Sequence, residues 1–263
     1  KNGVHTLEVE VWQGDRFVKS YTQPFSIMPT YTKQFGDEFT MAAVASHYAL
    51  TNRQGPLDTE LIVKSGMRYI RDELLWHKIE REKGVFDFSQ EDLWVEELAS
   101  HGIGIVGVLD FANVLYNGMA SVDFGMRYGP DSKDELDAFT NYVYETVSHY
   151  KDHIHIYELW NEPNLRTFWR PEPNVHDYVQ LVKAASAAIR AAHPEAIILA
   201  GSVANQQGVE FLDAMLAGGV YPYIDAISFH PYIFPDSPDL RYVSRLQSYT
   251  TTIRPYGGWK DMY

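Results

Sequence analysis

Cysteine is absent from the 263 residues. That excludes disulfides and thiol-ligated metals and leaves the redox compartment undetermined. Basic side chains are in deficit: 22 Lys and Arg stand against 35 Asp and Glu, a formal charge of −13. This balance argues against a nucleic-acid partner and against anionic membrane surfaces. No apolar run approaches the roughly 20 residues of a membrane-spanning helix. There is no glycine-rich phosphate loop and no Ser-His-Asp arrangement around a nucleophile elbow. Low-complexity tracts are missing, as is any internal repeat beyond an alternation of strands and helices. No signal peptide opens the chain, but it starts inside a hairpin pattern, so that lack carries no weight. The compartment stays open, with a secreted or periplasmic protein favoured.

What is present is enough apolar material for one large domain with a full core, 45% hydrophobic and 14% aromatic. Val4 to Trp12 alternates Leu7, Val9 and Val11 against Thr6, Glu8 and Glu10. Gly14-Asp15 makes a turn and Phe17 to Met28 reads as the return strand. Residues 1–30 are therefore a β hairpin, either the end of a β-sandwich domain or a strand pair decorating the domain that follows. Pro29 to Glu38 is a linker. From Phe39 strands and helices alternate, which argues a parallel α/β fold. The pattern predicts strands at Met41–Leu50, Tyr69–Trp76, Gly102–Leu109, the stretch around His155, Ala196–Ala200, Asp225–His230 and, beginning, Lys260–Tyr263. Helices are predicted at Leu57–Ser65, Gln90–Ser100, Ser132 (as cap, with Glu135 completing a capping box) to Tyr150, Val175–His193, Val209–Ala217 and Leu240–Ile253.

One stretch organises the rest: His153 to Asn164. Ile154 and Ile156 alternate as in a strand, and the run then breaks into a polar cluster closed by Pro163. A strand delivering Asn161-Glu162 at its C-terminal tip supplies what acid/base chemistry on a barrel rim needs. The plainer alternative is a solvated glutamate in an Asn-Glu-Pro turn. If the strand stays regular, Glu158 shares the parity of Glu162 and faces inward. A buried carboxylate needs a partner, and Arg71 is the first candidate. Pro163 biases Glu162 toward extended angles, and both Asn161 and Glu162 are expected to open to the mouth.

Glu158-Leu159-Trp160-Asn161-Glu162-Pro163-Asn164, continued to Phe168-Trp169, resembles the acid/base strand of the retaining glycoside hydrolases with (β/α)8 barrels, clan A. Trp160 to Pro163 marks the wide group. Asn164-Leu165 and Phe168-Trp169 make the stretch most similar to family 39, the β-xylosidase and iduronidase group. The resemblance covers about residues 39 to 263. It implies hydrolysis of β-linked glycosides or polysaccharide by double displacement, without a cofactor, with Glu162 as general acid/base and Asn161 binding the sugar hydroxyl beside the scissile bond. Arg71 resembles the strand-two arginine that holds the nucleophile carboxylate; its other reading is a surface arginine facing the helices. The charged run Lys78 to Phe88 resembles the loop after that strand and reads most simply as solvated. His230 and Tyr232 share a face by alternation, and by resemblance they line the sugar site near the nucleophile. His47, Tyr48, Asp110, Asn113 and Asn205 fall at strand tips, where barrel active sites sit; each is a sugar contact or a structural residue, His47 and Asn205 being taken as substrate-binding. Phe168, Trp169 and, less so, Trp76 are stacking platforms for a pyranose or core aromatics.

A retaining mechanism needs a second carboxyl about 5–5.5 Å from the first. The resemblance puts it on a glutamate at the tip of strand seven, and no residue here matches it; Asp261 lies at the wrong end of that strand. Residues 31–263 are therefore expected to be a (β/α)8 barrel truncated before the tip of strand seven. A further segment would complete it, because an open barrel exposes strand edges and an apolar interior. The His153-x-His155 pair invites a metal, but no acidic or histidine partner is close in sequence and none is expected. Two rivals remain: a catalytically inactive carbohydrate-binding barrel, and a metal-dependent barrel hydrolase, disfavoured because strand one has no His-x-His. The expected partner is a carbohydrate, with neither nucleic acid nor membrane.

Overall fold

Alternation with a period of two builds the first element. β1 (Gly3–Gln13) and β2 (Arg16–Ile27) pair antiparallel around Gly14-Asp15, with Gly14 at the positive φ of 60° that this turn requires. The computed structural model describes residues 3–27, 43–45, 56–118, 127–205, 207–232, 238–258 and 260–263.

The remaining strands form one parallel sheet. They are β3 (Ala43–Ala45), β4 (Tyr69–Leu75), β7 (Gly104–Asp110), β8 (Ile156–Leu159), β9 (Ile197–Ala204), β10 (Ala226–His230) and β11 (Asp261–Met262). Among the described residues these seven strands lie side by side in chain order, each parallel to its neighbours. Sequential parallel strands, each followed by a helix, are the order of a (β/α)8 barrel. A two-stranded hairpin, β5 (Glu80–Glu82) and β6 (Val85–Phe86), stands apart from the sheet.

The intervening helices are α1 (Pro56–Ser65), α2 (Trp76–Ile79), α3 (Ser89–Ser100), α4 (Val114–Asn117), α5 (Lys133–Tyr150), α6 (Val175–Ala192), α7 (Gln207–Ala217) and α8 (Pro238–Ile253). Ser132 caps α5 by accepting from Glu135 N at 3.3 Å. Glu135 answers the N–H of Asp131, not that of Ser132, so the box is displaced by one residue. Asn174 caps α6 by accepting from His176 and Asp177.

Strand parity separates two cores. Ile70, Leu74, Ile105, Leu109, Tyr157, Leu159, Ile198 and Ile227 point outward and pack on helix residues such as Leu98, Val143, Val147, Val182 and Ile189. Val106, Ile156, Leu199 and Ala226 point inward with Tyr69, Ile197 and Tyr263. Further along the same strands the inward positions become polar: Arg71 and Glu73, Asp110, Glu158, Ser228 and His230. Each inner strand thus runs from an apolar floor to a polar tip, which puts the chemistry at the C-terminal ends.

Candidate active site

β8 stops at Leu159, two residues before Asn161. Trp160 N still reaches Leu109 O at 3.1 Å, but Trp160 has φ 68° and Glu162 φ 47°. Two left-handed residues therefore make the turn that lets neighbouring Asn161 and Glu162 reach one site. This corrects the expectation that Pro163 keeps Glu162 extended: closing the turn decides its angle, and Leu165 N bonds Glu162 O at 2.9 Å across it. Asn164 fastens the turn to β9, donating to Ala204 O at 2.8 Å and accepting from Ala204 N at 2.9 Å. Beneath it, the buried Tyr178 hydroxyl donates to Leu159 O and accepts from Gly201 N.

The polar side chains form two hydrogen-bonded groups that meet at His230. Arg71 Nε donates to Glu158 Oε2 at 2.6 Å, and Arg71 Nη2 donates to Asn161 Oδ1 at 3.0 Å. Ser202 and Ser228 donate to Glu158 Oε1 at 2.5 and 2.7 Å. His230 Nδ1 lies 2.7 Å from Glu162 Oε1, and His230 Nε2 lies 3.9 Å from Glu158 Oε1. Glu158 retains 1% exposure, Glu162 7% and Asn161 9%. The inward, Arg71-paired Glu158 matches the parity argument, and the surface reading of Arg71 is overturned. The two tip residues are more enclosed than the open mouth expected of them.

Burial pushes the Glu158 carboxyl up, but the charge and hydrogen bond of Arg71 outweigh it, helped by His230 and Ser202, and hold it below the usual range. Burial likewise works against the Arg71 guanidinium, and Glu158 more than restores it.

Ser202 escaped the sequence reading. β10 opposes Ser228 to Gly201 and Phe229 to Val203, so Ser202 is an extra residue in β9. Gly201 at φ 110° and Ser202 at φ 45° form this bulge, which brings the Ser202 hydroxyl to Glu158. A glycine inside a strand pattern is the signal that could have located it.

Other candidates fall into place one by one. Tyr232 lies beyond the end of β10, 61% exposed, with its ring 6.0 Å from His230. Asn205 follows β9 with φ 61°, and its carbonyl accepts from Tyr249. Phe168 is half-buried and stacks on Phe111 at 6.0 Å. Trp169 is 2% exposed, its ring packed against Trp160 and Tyr178. Those contacts make Trp169 a core aromatic and remove it as a stacking platform. His47 and Tyr48 lie outside the described residues.

The charged run after β4 forms the β5–β6 hairpin, with Arg81, Glu82, Lys83 and Asp87 exposed as a solvated run requires, but one charge departs from that reading. Glu80 is buried there, accepting from Trp76 Nε1 at 2.6 Å, Gly84 N at 2.6 Å and Tyr116 Oη at 2.5 Å. Asn113 donates to Glu80 O at 2.7 Å and caps α4. Trp76 and Asn113 therefore brace this hairpin. His155 meets His193 at 2.9 Å, a partner supplied from far along the chain.

Fold and motif together define the class: a parallel barrel of the glycoside-hydrolase kind, with Asn-Glu at the tip of its fourth strand. The chain belongs to the family described as cellulase (glycosyl hydrolase family 5), whose model matches residues 60–252. No curated protein matches it. Among solved structures, a family 39 glycoside hydrolase from Bacteroides cellulosilyticus is 23% identical, with a TM-score of 0.73, over 91% of this chain and 47% of that one. A monomeric β-xylosidase from Caulobacter crescentus is 20% identical, with a TM-score of 0.68, over 86% and 52%. A xylanase from Paenibacillus barcinonensis is 18% identical, with a TM-score of 0.55, over 80% and 65%. The chain spans about half the length of the first two. These likenesses establish the barrel fold; the clan A resemblance holds, with a family 5 model and a family 39 structure both within that clan.

Proposed function

We propose that this protein is a retaining glycoside hydrolase acting on β-linked glycosides, with Glu162 as its general acid/base. The observation that carries the reading is the tip of β8. Glu162 lies in hydrogen-bond contact with His230, beside an Asn161 oriented by Arg71. In the first step the Glu162 hydroxyl protonates the glycosidic oxygen. The C1–O bond breaks, its electron pair goes to the leaving oxygen, and a second carboxylate bonds to C1. In the second, the Glu162 carboxylate takes a proton from water as the water oxygen attacks C1 and releases that carboxylate. Glu158 is unsuited to be the second carboxylate, because Arg71 and two serines occupy its oxygens. The resemblance assigns that group to the tip of the strand that β11 opens. Among the described residues, Arg71 Nη1 and the Asn161 side-chain N–H groups make no hydrogen bond, which leaves them for that carboxylate and for a sugar hydroxyl. The names of the similar structures, a β-xylosidase and a xylanase, make xylosides the first substrates to assay.

The inactive carbohydrate-binding alternative is less favoured, because binding alone does not call for a carboxyl in contact with an imidazole. Glu162→Ala, assayed on the protein in its full natural length, separates the two readings. Hydrolysis of substrates with poor leaving groups should fall about 100-fold or more, the range of general acid/base catalysis. Activated aryl glycosides should keep a faster first step, and azide should restore turnover. Unchanged activity of the variant on a natural glycan would end the assignment.

A further inference from the structure

Glu158 takes no part in the chemistry just described, yet it is held from several sides. Its Oε2 accepts from Arg71, and its Oε1 accepts from Ser202 and Ser228. The same Oε1 lies 3.9 Å from His230 Nε2. The other ring nitrogen, Nδ1, lies 2.7 Å from Glu162 Oε1. One imidazole therefore stands between two carboxyl groups, and a neutral imidazole carries one proton for two nitrogens. Where that proton sits decides which partner of the short contact is the donor.

We infer that Glu158 fixes the proton of His230 on Nε2, so that the bare Nδ1 accepts a hydrogen bond from a protonated Glu162. An ionised carboxylate beside Nε2 attracts an N–H there and repels a lone pair. Glu158 is kept ionised by Arg71 and the two hydroxyls. The opposite tautomer aims a lone pair at this charge and an N–H at Glu162, whose Oε1 then only accepts in the short contact. An imidazolium between the two carboxyls likewise makes Glu162 Oε1 the acceptor. Only the Nε2–H form needs a proton on Glu162 Oε1 to make the short contact a hydrogen bond, and that is the carboxyl that has to deliver it. The other described ring beside His230 is that of Tyr232, which is uncharged, and the Arg71 charge is engaged by Glu158. Glu158 is thus a positioning residue acting through His230. After Glu162 has given its proton away, its carboxylate faces the lone pair of Nδ1.

The inference rests on the acid/base reading of Glu162, but its test does not use hydrolysis. Nitrogen-15 to proton correlation spectra of the imidazole side chains, recorded near neutral pH, report the tautomer directly. His230→Gln identifies the signal by its loss. Wild-type protein should show His230 protonated on Nε2 with Nδ1 bare and hydrogen bonded. In Glu158→Gln the single Nε2–H form should give way to the Nδ1–H form or a mixture of the two. A wild-type Nδ1–H tautomer or imidazolium overturns the inference, as does a Glu158→Gln spectrum identical to wild type. If that variant does not fold, the wild-type tautomer decides alone. An Nε2–H tautomer in a protein that hydrolyses no glycoside would leave the inference standing and remove the glycosidase reading.

Discussion

Two carboxyls on the inner wall are equally buried and sit in opposite states. Glu158 has the guanidinium of Arg71 and two hydroxyls; Asp110, at 0% exposure, has no hydrogen-bond partner for either oxygen among the described residues. Burial pushes the Asp110 carboxyl well up, the charges of Glu73, Glu158 and Asp72 add to this, and Arg71 only partly opposes it. The sign of the consequence follows from proton counts. The unfolded chain releases the Asp110 proton near pH 3.9, while the native protein keeps it to higher pH. Across that interval the native state binds more protons, so its stability falls as pH rises, by roughly 1.4 kcal/mol per pH unit for this one group. Asp110→Asn has no proton to lose and nearly the same shape. Its thermal or urea stability should therefore gain on wild type steadily above about pH 4, and parallel pH profiles for the two proteins would refute this. Sequence parity made the pairing of Glu158 legible, because in a regular strand it shares the parity of Glu162, faces the interior and must find a partner. It said nothing of Asp110, whose isolation depends on neighbours from other strands.

Among elements, the barrel strands were legible and their irregularities were not. Alternating and buried apolar runs predicted all the parallel strands, but strand five was expected to stop at Ala200, whereas β9 runs on to Ala204. Gly201-Ser202 reads as a break and is a bulge, with the ladder resuming at Val203. The left-handed Trp160 and Glu162 were equally hidden, since local preference disfavours that region for both residues and the anchored turn overrides it. Glu80 looked like one charge among many until its contacts from Trp76, Gly84 and Tyr116 were seen. The bulge is the most exacting of these features. Gly201 has φ 110°, and a Cβ there would lie 2.8 Å from Ser228 O. Gly201→Ala should cost about 1–3 kcal/mol, the usual penalty for a strained backbone position. It should also loosen the Ser202–Glu158 hydrogen bond. Urea denaturation of the variant measures this, and wild-type stability would mean that β9 tolerates a side chain in the bulge.

At the scale of the whole molecule, the domain division drawn from sequence becomes a proposal about independence: the hairpin is a unit separate from the barrel. One face of β1 and β2 carries Leu7, Val9 and Val11 opposite Gln23, Tyr21 and Lys19, and the other carries Thr6, Glu8 and Glu10 opposite Pro24, Thr22 and Ser20. Leu7, Val9, Val11, Tyr21 and Phe25 are nonetheless exposed, as are Trp12 and Phe17 near the turn. A two-stranded ribbon with its apolar face uncovered is marginal alone, and among the described residues it supplies the barrel with none of the side chains that fill either core. The barrel's stability should then come from its own layers. Deleting residues 3–27 should leave the melting transition of the barrel shifted by less than about 2–4 °C, the change that 1 kcal/mol makes in a domain of this size. Calorimetry on the deleted and undeleted proteins makes the comparison. A larger fall would mean that the hairpin packs on the barrel in solution, and it would favour the reading of residues 1–30 as a decoration of the barrel over the end of a β-sandwich domain.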